Sequence, residues 1–394
     1  MIDLVLAASD RPDEPDLVAG APAAGIRVVR RALDAADLLA AAAADPAVAV
    51  VISPGVPRLS ADLVGRIAAD GRVLVGLATD DAQAATLRAW GVSVVVRADV
   101  DPAATMVVVA ARLVPSAPVE SPSASEASVR AGVCIAVWGP AGAPGRTTTA
   151  ISIAASLARQ GRQVCLVDAD TYAPDLTAML GILDDISGLV VACRHAENGV
   201  LSPTSLRSVT RALDDGLVVL GGIGTAQRWA EVREGALRQV WGAATSTFDV
   251  TVVDVGGVIV EDAGPVPASG SGLLSSRRNA AAVTALQAAD VVVAVGRAST
   301  LGVGRLLGMH GQVRELRPGV PIVHVVTGDH GHDVRAGVRA LRDGGVTGTA
   351  LPLVRDRRRL ERGTRAAVDP YASTDRRERR AVDAVSAAVL GACA

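Results

Sequence analysis

The sequence predicts an α/β protein built as two doubly wound parallel sheets joined by a flexible segment. Three observations predict it. Short apolar runs alternate with Ala-rich helical stretches along nearly the whole chain. The stretch PSAPVESPSASEASV, residues 115–129, has little to bury and reads as a linker. Aromatic residues make up 2% of 394 residues, so aliphatic side chains packed on Ala-rich helices must fill the cores. The length suits two or three domains.

In order along the chain, apolar runs at Ile2–Ala7, Ile26–Val29, Val48–Ile52, Arg72–Leu77 and Ser93–Val96 read as strands, with helices including Ala35–Ala44, Ser60–Ala69 and Ala82–Trp90 between them. Five β/α units of this size over residues 1–114 suit a flavodoxin-like, receiver-like sheet. A working receiver domain carries a phosphate-accepting aspartate after its third strand, beside an acidic cluster after its first. Here the third strand runs into Ser53-Pro54-Gly55, only Asp10 follows the first, and Arg97 stands roughly where a lysine would follow the fifth. The expectation is a degenerate receiver-like domain used for docking or dimerisation.

After the linker, 115–130, the runs Val133–Trp138, Gln163–Val167, Leu217–Leu220, Val250–Val253, Val291–Val295, Ile322–Val326 and a short one near Thr349–Val354 predict one large parallel sheet over 131–394. Gly264–Ser276 is a low-complexity stretch expected to form a surface loop. The net charge of −2 gives no general attraction to nucleic acid, and the arginine runs at Arg355–Arg365 and Arg376–Arg380 read as solvated helix faces. Cys134, Cys165, Cys193 and Cys393 lack CxxC spacing and suit core packing in a reducing cytoplasm. Neither a signal peptide nor a membrane-spanning run is read.

The stretch from Val133 to Gly181 carries the most chemistry. An apolar strand leads into Gly139-Pro140-Ala141-Gly142-Ala143-Pro144-Gly145-Arg146-Thr147-Thr148, then an amphipathic helix and a strand ending Asp168-Ala169-Asp170. This is the layout of a phosphate-binding loop, whose backbone N–H groups and helix N-terminus face phosphate oxygens. Against G-x-x-x-x-G-K-[ST], Pro140 replaces the first glycine and Arg146 the lysine. All 39 basic residues are arginine, so composition alone accounts for the exchange. A planar fork still differs from a compact ammonium in how it meets phosphate. Phe248–Asp254 adds an apolar strand closing on an acid, followed by Gly256-Gly257, a Walker-B-type position for a metal's water shell.

The phrases VWGPAGAPGRTTTA, LVDADTYAPDLTAMLG, GLVVACR, QRWAEVR, FDVTVVD, SRRNAAAVTALQAADVVVAVG and ALPLVRDRR resemble the MinD/ParA class of deviant Walker-A ATPases, of the SIMIBI type of P-loop NTPase. More narrowly, the two-domain order resembles the CpaE/TadZ-type proteins of high-GC bacteria, which belong to pilus-assembly or septum-site systems. The resemblance implies that Gly142, Ala143, Pro144, Gly145, Arg146, Thr147 and Thr148 bind the phosphates of ATP. It implies that Thr147, Asp168 and Asp254 hold Mg²⁺ directly or through water, and that Asp170 positions or activates the attacking water in a weak ATPase. The implied assembly is a homodimer, cytoplasmic and recruited to a pole or septum, positioning pilus, secretion or division machinery and expecting no specific nucleic acid.

The departures are as informative. The parent motif has a signature lysine that reaches across the dimer to the partner's nucleotide, and Ala141 stands in its place; Arg277 and Arg278 are the candidate substitutes. Relatives often recognise adenine with an Asn-Arg pair after the sixth strand, where this chain has Thr327-Gly328. His330 and His332 read as a polar turn. The segment Arg376–Ala394, basic then apolar, is similar to the membrane-targeting helix of MinD and raises peripheral membrane association, but its Ala/Val face lacks large anchors and favours core packing. A scaffold without nucleotide and a DNA-partitioning ATPase are the rival readings.

Overall fold

A computed structural model describes residues 1–44, 49–69, 72–98, 101–113, 132–140, 142, 145–182, 187–259, 277–354 and 376–393. The linker, Ala141, Ala143, Pro144, the loop 264–276 and the run 355–365 lie outside the described residues. The chain divides into two compact units, each with its own sheet.

The first unit runs β1 (Ile2–Ala7), α1 (Glu14–Gly20), β2 (Ile26–Arg31), α2 (Ala35–Ala44), β3 (Ala49–Ile52), α3 (Ala61–Ala69), β4 (Leu74–Ala78), α4 (Asp81–Ala89), β5 (Val94–Arg97) and α5 (Pro102–Leu113). Its strands are all parallel in the order β2-β1-β3-β4-β5. Side chains alternate between two cores as the pleat requires. Val5, Val50 and Ile52 join Leu38, Leu63 and Leu87 on one face, while Leu4, Leu6, Val51 and Val75 join Leu17, Met106 and Val109 on the other. At the carboxyl ends of the strands a cavity of about 400 Å³ is lined by Asp10, Arg11, Asp13, Ser53, Thr79 and Gln83. There Ser53 Oγ donates to Asp10 Oδ2 at 2.6 Å. Arg97 instead pairs with Asp81 at 2.7 Å, and Arg11, not Arg97, supplies the cavity's guanidinium.

The second unit runs β6 (Val133–Trp138), α6 (Arg146–Arg159), β7 (Val164–Ala169), α7 (Leu176–Met179), α8 (Gly188–Glu197), α9 (Pro203–Ser208), β8 (Arg211–Asp214), β9 (Leu217–Leu220), α10 (Glu234–Thr247), β10 (Val250–Val255), α11 (Ala280–Ala288), β11 (Val291–Arg297), α12 (Thr300–Leu316), β12 (Ile322–Gly328), α13 (Gly331–Asp343), β13 (Ala350–Val354) and α14 (Arg376–Ala392). The sheet order is β13-β12-β11-β6-β10-β7-β9-β8. Every pairing is parallel except β8 with β9. The apolar strand runs anticipated all of these strands but β8. That edge strand is mostly exposed and has no apolar run to betray it; its place comes from the turn into β9.

Central strands buried on both faces explain the continuous Val/Ile/Leu runs. On one side α6 presents Ala150, Ile151, Ile153, Ala154 and Leu157 to the core, and α14 joins it through Val382, Val385 and Val389, each no more than 2% exposed. Ser156 Oγ donates to Asp383 across that helix pair at 2.7 Å. The apolar face of the C-terminal helix is thus spent on the core, and its arginines Arg376, Arg377, Arg379 and Arg380 are exposed. Among the described residues no helix is long and apolar enough to cross a membrane.

On β12 the sheet buries a titratable pair. His310 Nδ1 lies 3.2 Å from Nε2 of the buried His324, and Arg314 Nε donates to His310 Nε2 at 2.8 Å. Since Arg314 is only a donor, the proton of His310 sits on Nδ1 and points at His324. Burial first, then His310, push the His324 pKa down to about 4. A base whose folded pKa falls from 6.5 to about 4 is neutral in the fold while the unfolded chain takes up a proton. The contribution of His324 is therefore intact above pH 6.5 and declines as pH falls toward 4, by on the order of 2 kcal/mol. Urea unfolding between pH 7 and 4 should show this limb, and His324→Gln should flatten it.

Candidate functional site

The turn between β6 and α6 is shaped by Gly145, whose φ of 104° at the helix N-cap is open to glycine and strained for other residues. Thr149 closes the first helical turn by donating its hydroxyl to Gly145 O at 2.6 Å. The free N–H groups of a 14-residue helix therefore open onto the turn, with the positive end of its dipole. Thr327, at the end of β12, lies on the other side: a Cβ on Gly145 would stand 3.5 Å from its hydroxyl.

Arg146 does not point away from this turn. Its Nη1 donates to Gly139 O at 3.1 Å and Pro140 O at 3.4 Å, while Nη2 pairs with Asp170 Oδ2 at 3.2 Å. The other carboxylate oxygen of Asp170 accepts from the backbone N–H of Tyr172 and Ala173 at 2.8 and 3.0 Å. Three acceptors thus hold the guanidinium within the loop, 19% exposed.

The two remaining acids arrive by strand register. β10 lies between β6 and β7, and Asp254 stands opposite both Val137 and Asp168. Both carboxylates are buried. Asp168 accepts the N–H of Asp170 and of Leu176, each at 3.2 Å. The Thr147 side chain lies beside Asp254, whose Oδ1 is buried without a protein partner. Burial first, and then the Asp254 charge, raise Asp168 well above the usual carboxylate range. Burial likewise lifts Asp254 to about 7, against the lowering pull of Thr147 and Arg146.

One hydroxyl and two carboxylates form a hard, all-oxygen donor set, and the orphaned Asp254 Oδ1 needs a positive or hydrogen-bearing partner. These residues fit Mg²⁺ or its water shell. Among the described residues no three His, Cys, Asp or Glu side chains form a metal cage, and Mg²⁺ ordinarily completes its octahedron with waters and phosphate oxygens.

The sequence-derived site residues therefore separate into groups. Gly142, Gly145, Arg146, Thr147, Thr148, Asp168, Asp170 and Asp254 gather at the carboxyl ends of β6, β7 and β10 and the start of α6. Ala143 and Pro144 lie outside the described residues. Arg278 is stacked on Tyr172, with Cζ 4.1 Å from the ring centre, and donates to Thr171 O at 3.4 Å; Arg277 beside it is exposed. Thr327, noted in the sequence only for standing where relatives carry an adenine-recognising pair, and Arg305, which escaped sequence reasoning, are both near the loop. Only the packing of β12 and α12 brings them there.

The fold of the second unit is shared by known structures. Cell division ATPase MinD of Pyrococcus furiosus superimposes with a TM-score of 0.52 at 16% identity, over 66% of this chain and 99% of that one. The second unit has the MinD/ParA-type P-loop NTPase fold. A ParA family ATPase from Chlorobium tepidum agrees with this fold at a TM-score of 0.52 and 13% identity, covering 64% and 98% of the two chains. A putative plasmid partition protein from Borrelia burgdorferi, bound to AMPPNP, gives 0.50 at 16% identity, covering 66% and 99%. Residues 130–222, which carry the MinD/ParA-type loop and its first acids, match the family described as ParA: NUBPL iron-transfer P-loop NTPase. No curated protein shows significant sequence similarity to the chain.

The raised acids imply a measurable cost. An acid whose folded pKa rises from 3.8 to about 7 stays protonated in the fold after the unfolded chain has released its proton. The contribution of Asp254 is therefore greatest at acid pH and is lost as pH climbs from about 4 to 7, opposite in slope to that of His324. Asp254→Asn should leave urea stability near pH 4 unchanged and raise it at pH 8 by about 1–2 kcal/mol. A variant less stable than the parent at pH 8 contradicts this electrostatic account.

Proposed function

We propose that the chain is an ATP-binding spatial regulator of the CpaE/TadZ/MinD kind, which dimerises with nucleotide to position pilus, secretion or division machinery. One observation carries the nucleotide part: Asp254, whose Oδ1 is buried and unpartnered, stands in register with Asp168 and beside Thr147 at the mouth of a glycine turn that opens a helix. Structural relatives with the same fold include an ATPase of cell division and a partition protein bound to AMPPNP.

In this reading Gly142 through Thr148 cradle the phosphates, with backbone N–H groups and the helix N-terminus supplying the field. Thr147, Asp168 and Asp254 hold Mg²⁺ or its waters. When bound, Mg²⁺ supplies positive charge to the phosphate oxygens. Arg146 must turn its fork from the carbonyls of Gly139 and Pro140 toward phosphate. Asp170, released from Arg146 by that move, is free to orient a water. Because resting contacts occupy both groups, hydrolysis is expected to be weak and nucleotide acts chiefly as a conformational ligand, favouring the state it binds more tightly.

The first unit fits a receiver-like domain through its 2-1-3-4-5 strand order, with Ser53 where an acceptor aspartate would stand. Its role in this reading is docking. Cytoplasmic residence with recruitment to a pole or septum belongs to the same proposal, as does the homodimer. A second reading, a scaffold without nucleotide, is favoured by one feature: the Arg146 guanidinium already satisfies loop carbonyls and Asp170.

Calorimetric titration of the full chain with ATP and Mg²⁺ separates the two. The nucleotide reading expects saturable binding that Thr147→Ala and Asp254→Ala each weaken by about tenfold or more, with an ATP-dependent shift from monomer to dimer in light scattering. No heat and no shift with the unaltered protein would leave the scaffold.

A further inference from the structure

The acids of the site outnumber the cations so far placed in it. Asp168, Asp170 and Asp254 converge on the turn, and Arg146 is seated among them, already shared between Asp170 and two carbonyls. Arg278 is spent on the Tyr172 ring and the Thr171 carbonyl. A polyphosphate brings still more negative charge to this turn.

A second guanidinium reaches the loop from α12. Gly142 has φ +76°, and a Cβ built on it would lie 2.8 Å from Arg305 Nη1. The helix that carries Arg305 is fixed. Ser299 caps its N-terminus by accepting from Gly302 N–H at 3.1 Å, and Val303 and Leu306, on either side of Arg305, are buried. Gly296 on β11 lets Leu306 pack close to the strand, since a Cβ there would meet Leu306 at 2.8 Å. The Arg305 side chain is exposed, and its Nη1 reaches Gly142. Gly145 begins the helix, whose N–H groups take inner phosphates, so the bend at Gly142 serves the outer end of a bound chain.

We propose that Arg305 is the second phosphate-contacting cation of this site, donating to the terminal phosphoryl oxygens of a nucleoside triphosphate and thereby distinguishing it from the diphosphate. The inference rests on the nucleotide reading above. It fills from a distant helix the charge that Ala141 does not provide, Arg278 being engaged with Tyr172 and Thr171.

Binding of ATP and of ADP, each with Mg²⁺, to the full chain and to Arg305→Ala and Arg305→Lys tests it, with the nucleotide-free melting midpoint as the control for folding. Loss of a charge-assisted hydrogen bond should weaken ATP binding roughly 10- to 100-fold, while ADP binding changes by less than about threefold and the midpoint stays above the titration temperature. Arg305→Lys keeps the charge and should recover part of the ATP preference. Equal weakening for ATP and ADP, or no weakening of either, overturns the role of Arg305 and leaves the nucleotide site standing. Absence of ATP binding by the unaltered protein overturns both.

Discussion

Two carboxylates buried side by side, Asp168 and Asp254, are the constraint around which the second unit is organised. Their strands are neighbours in register and are otherwise apolar, so nothing on β7 or β10 offers these charges a counter-ion. Compensation comes from outside the strands: backbone N–H groups of Asp170 and Leu176 for Asp168, and for Asp254 the lowering influence of the nearby Thr147 and Arg146. It is incomplete, as the raised pKa values and the orphaned Asp254 Oδ1 show. Fully desolvated acids of this kind are expensive and cluster where a cation or reacting group is received.

The glycine turn and Arg146 form the complementary half. A chain with no lysine must meet this position with a fork, and a fork can satisfy several acceptors at once. Here it takes two loop carbonyls and Asp170 together. The contact couples the residue proposed to bind phosphate to the acid proposed to orient water, so any ligand that draws Arg146 away also changes Asp170. Arg305 enters from α12 independently of that exchange. The arrangement places positive charge on both sides of a turn whose walls are otherwise acidic.

Much of the fold was legible because its signals are local. Continuous Val/Ile/Leu runs marked the buried strands, and the glycine turn and terminal acids marked the loop and its neighbours. β8 was not legible: its Arg211–Asp214 are largely exposed and carry no period, and only pairing with β9 makes them a strand. The C-terminal helix could be read both as a surface anchor and as core; burial of Val382, Val385 and Val389 resolves its apolar face. Arg97, whose position along the chain matches a receiver lysine, turns to Asp81, because an exposed strand end leaves a long side chain free to choose its partner. The His310–His324 contact, which joins α12 to β12, has no sequence pattern at all.

By itself the sequence determined the alternation of strand and helix, the two sheets, the turn that opens α6, and the acids that close β7 and β10, because backbone preference and burial act over a few neighbouring residues. Tertiary structure alone decided which acids face one another, where the Arg146 fork rests, and that Arg305 and Thr327 flank the loop. Those outcomes depend on strand order and helix packing between segments far apart in the chain. Charge, unlike hydrophobic period, has its effect only once such distances are set.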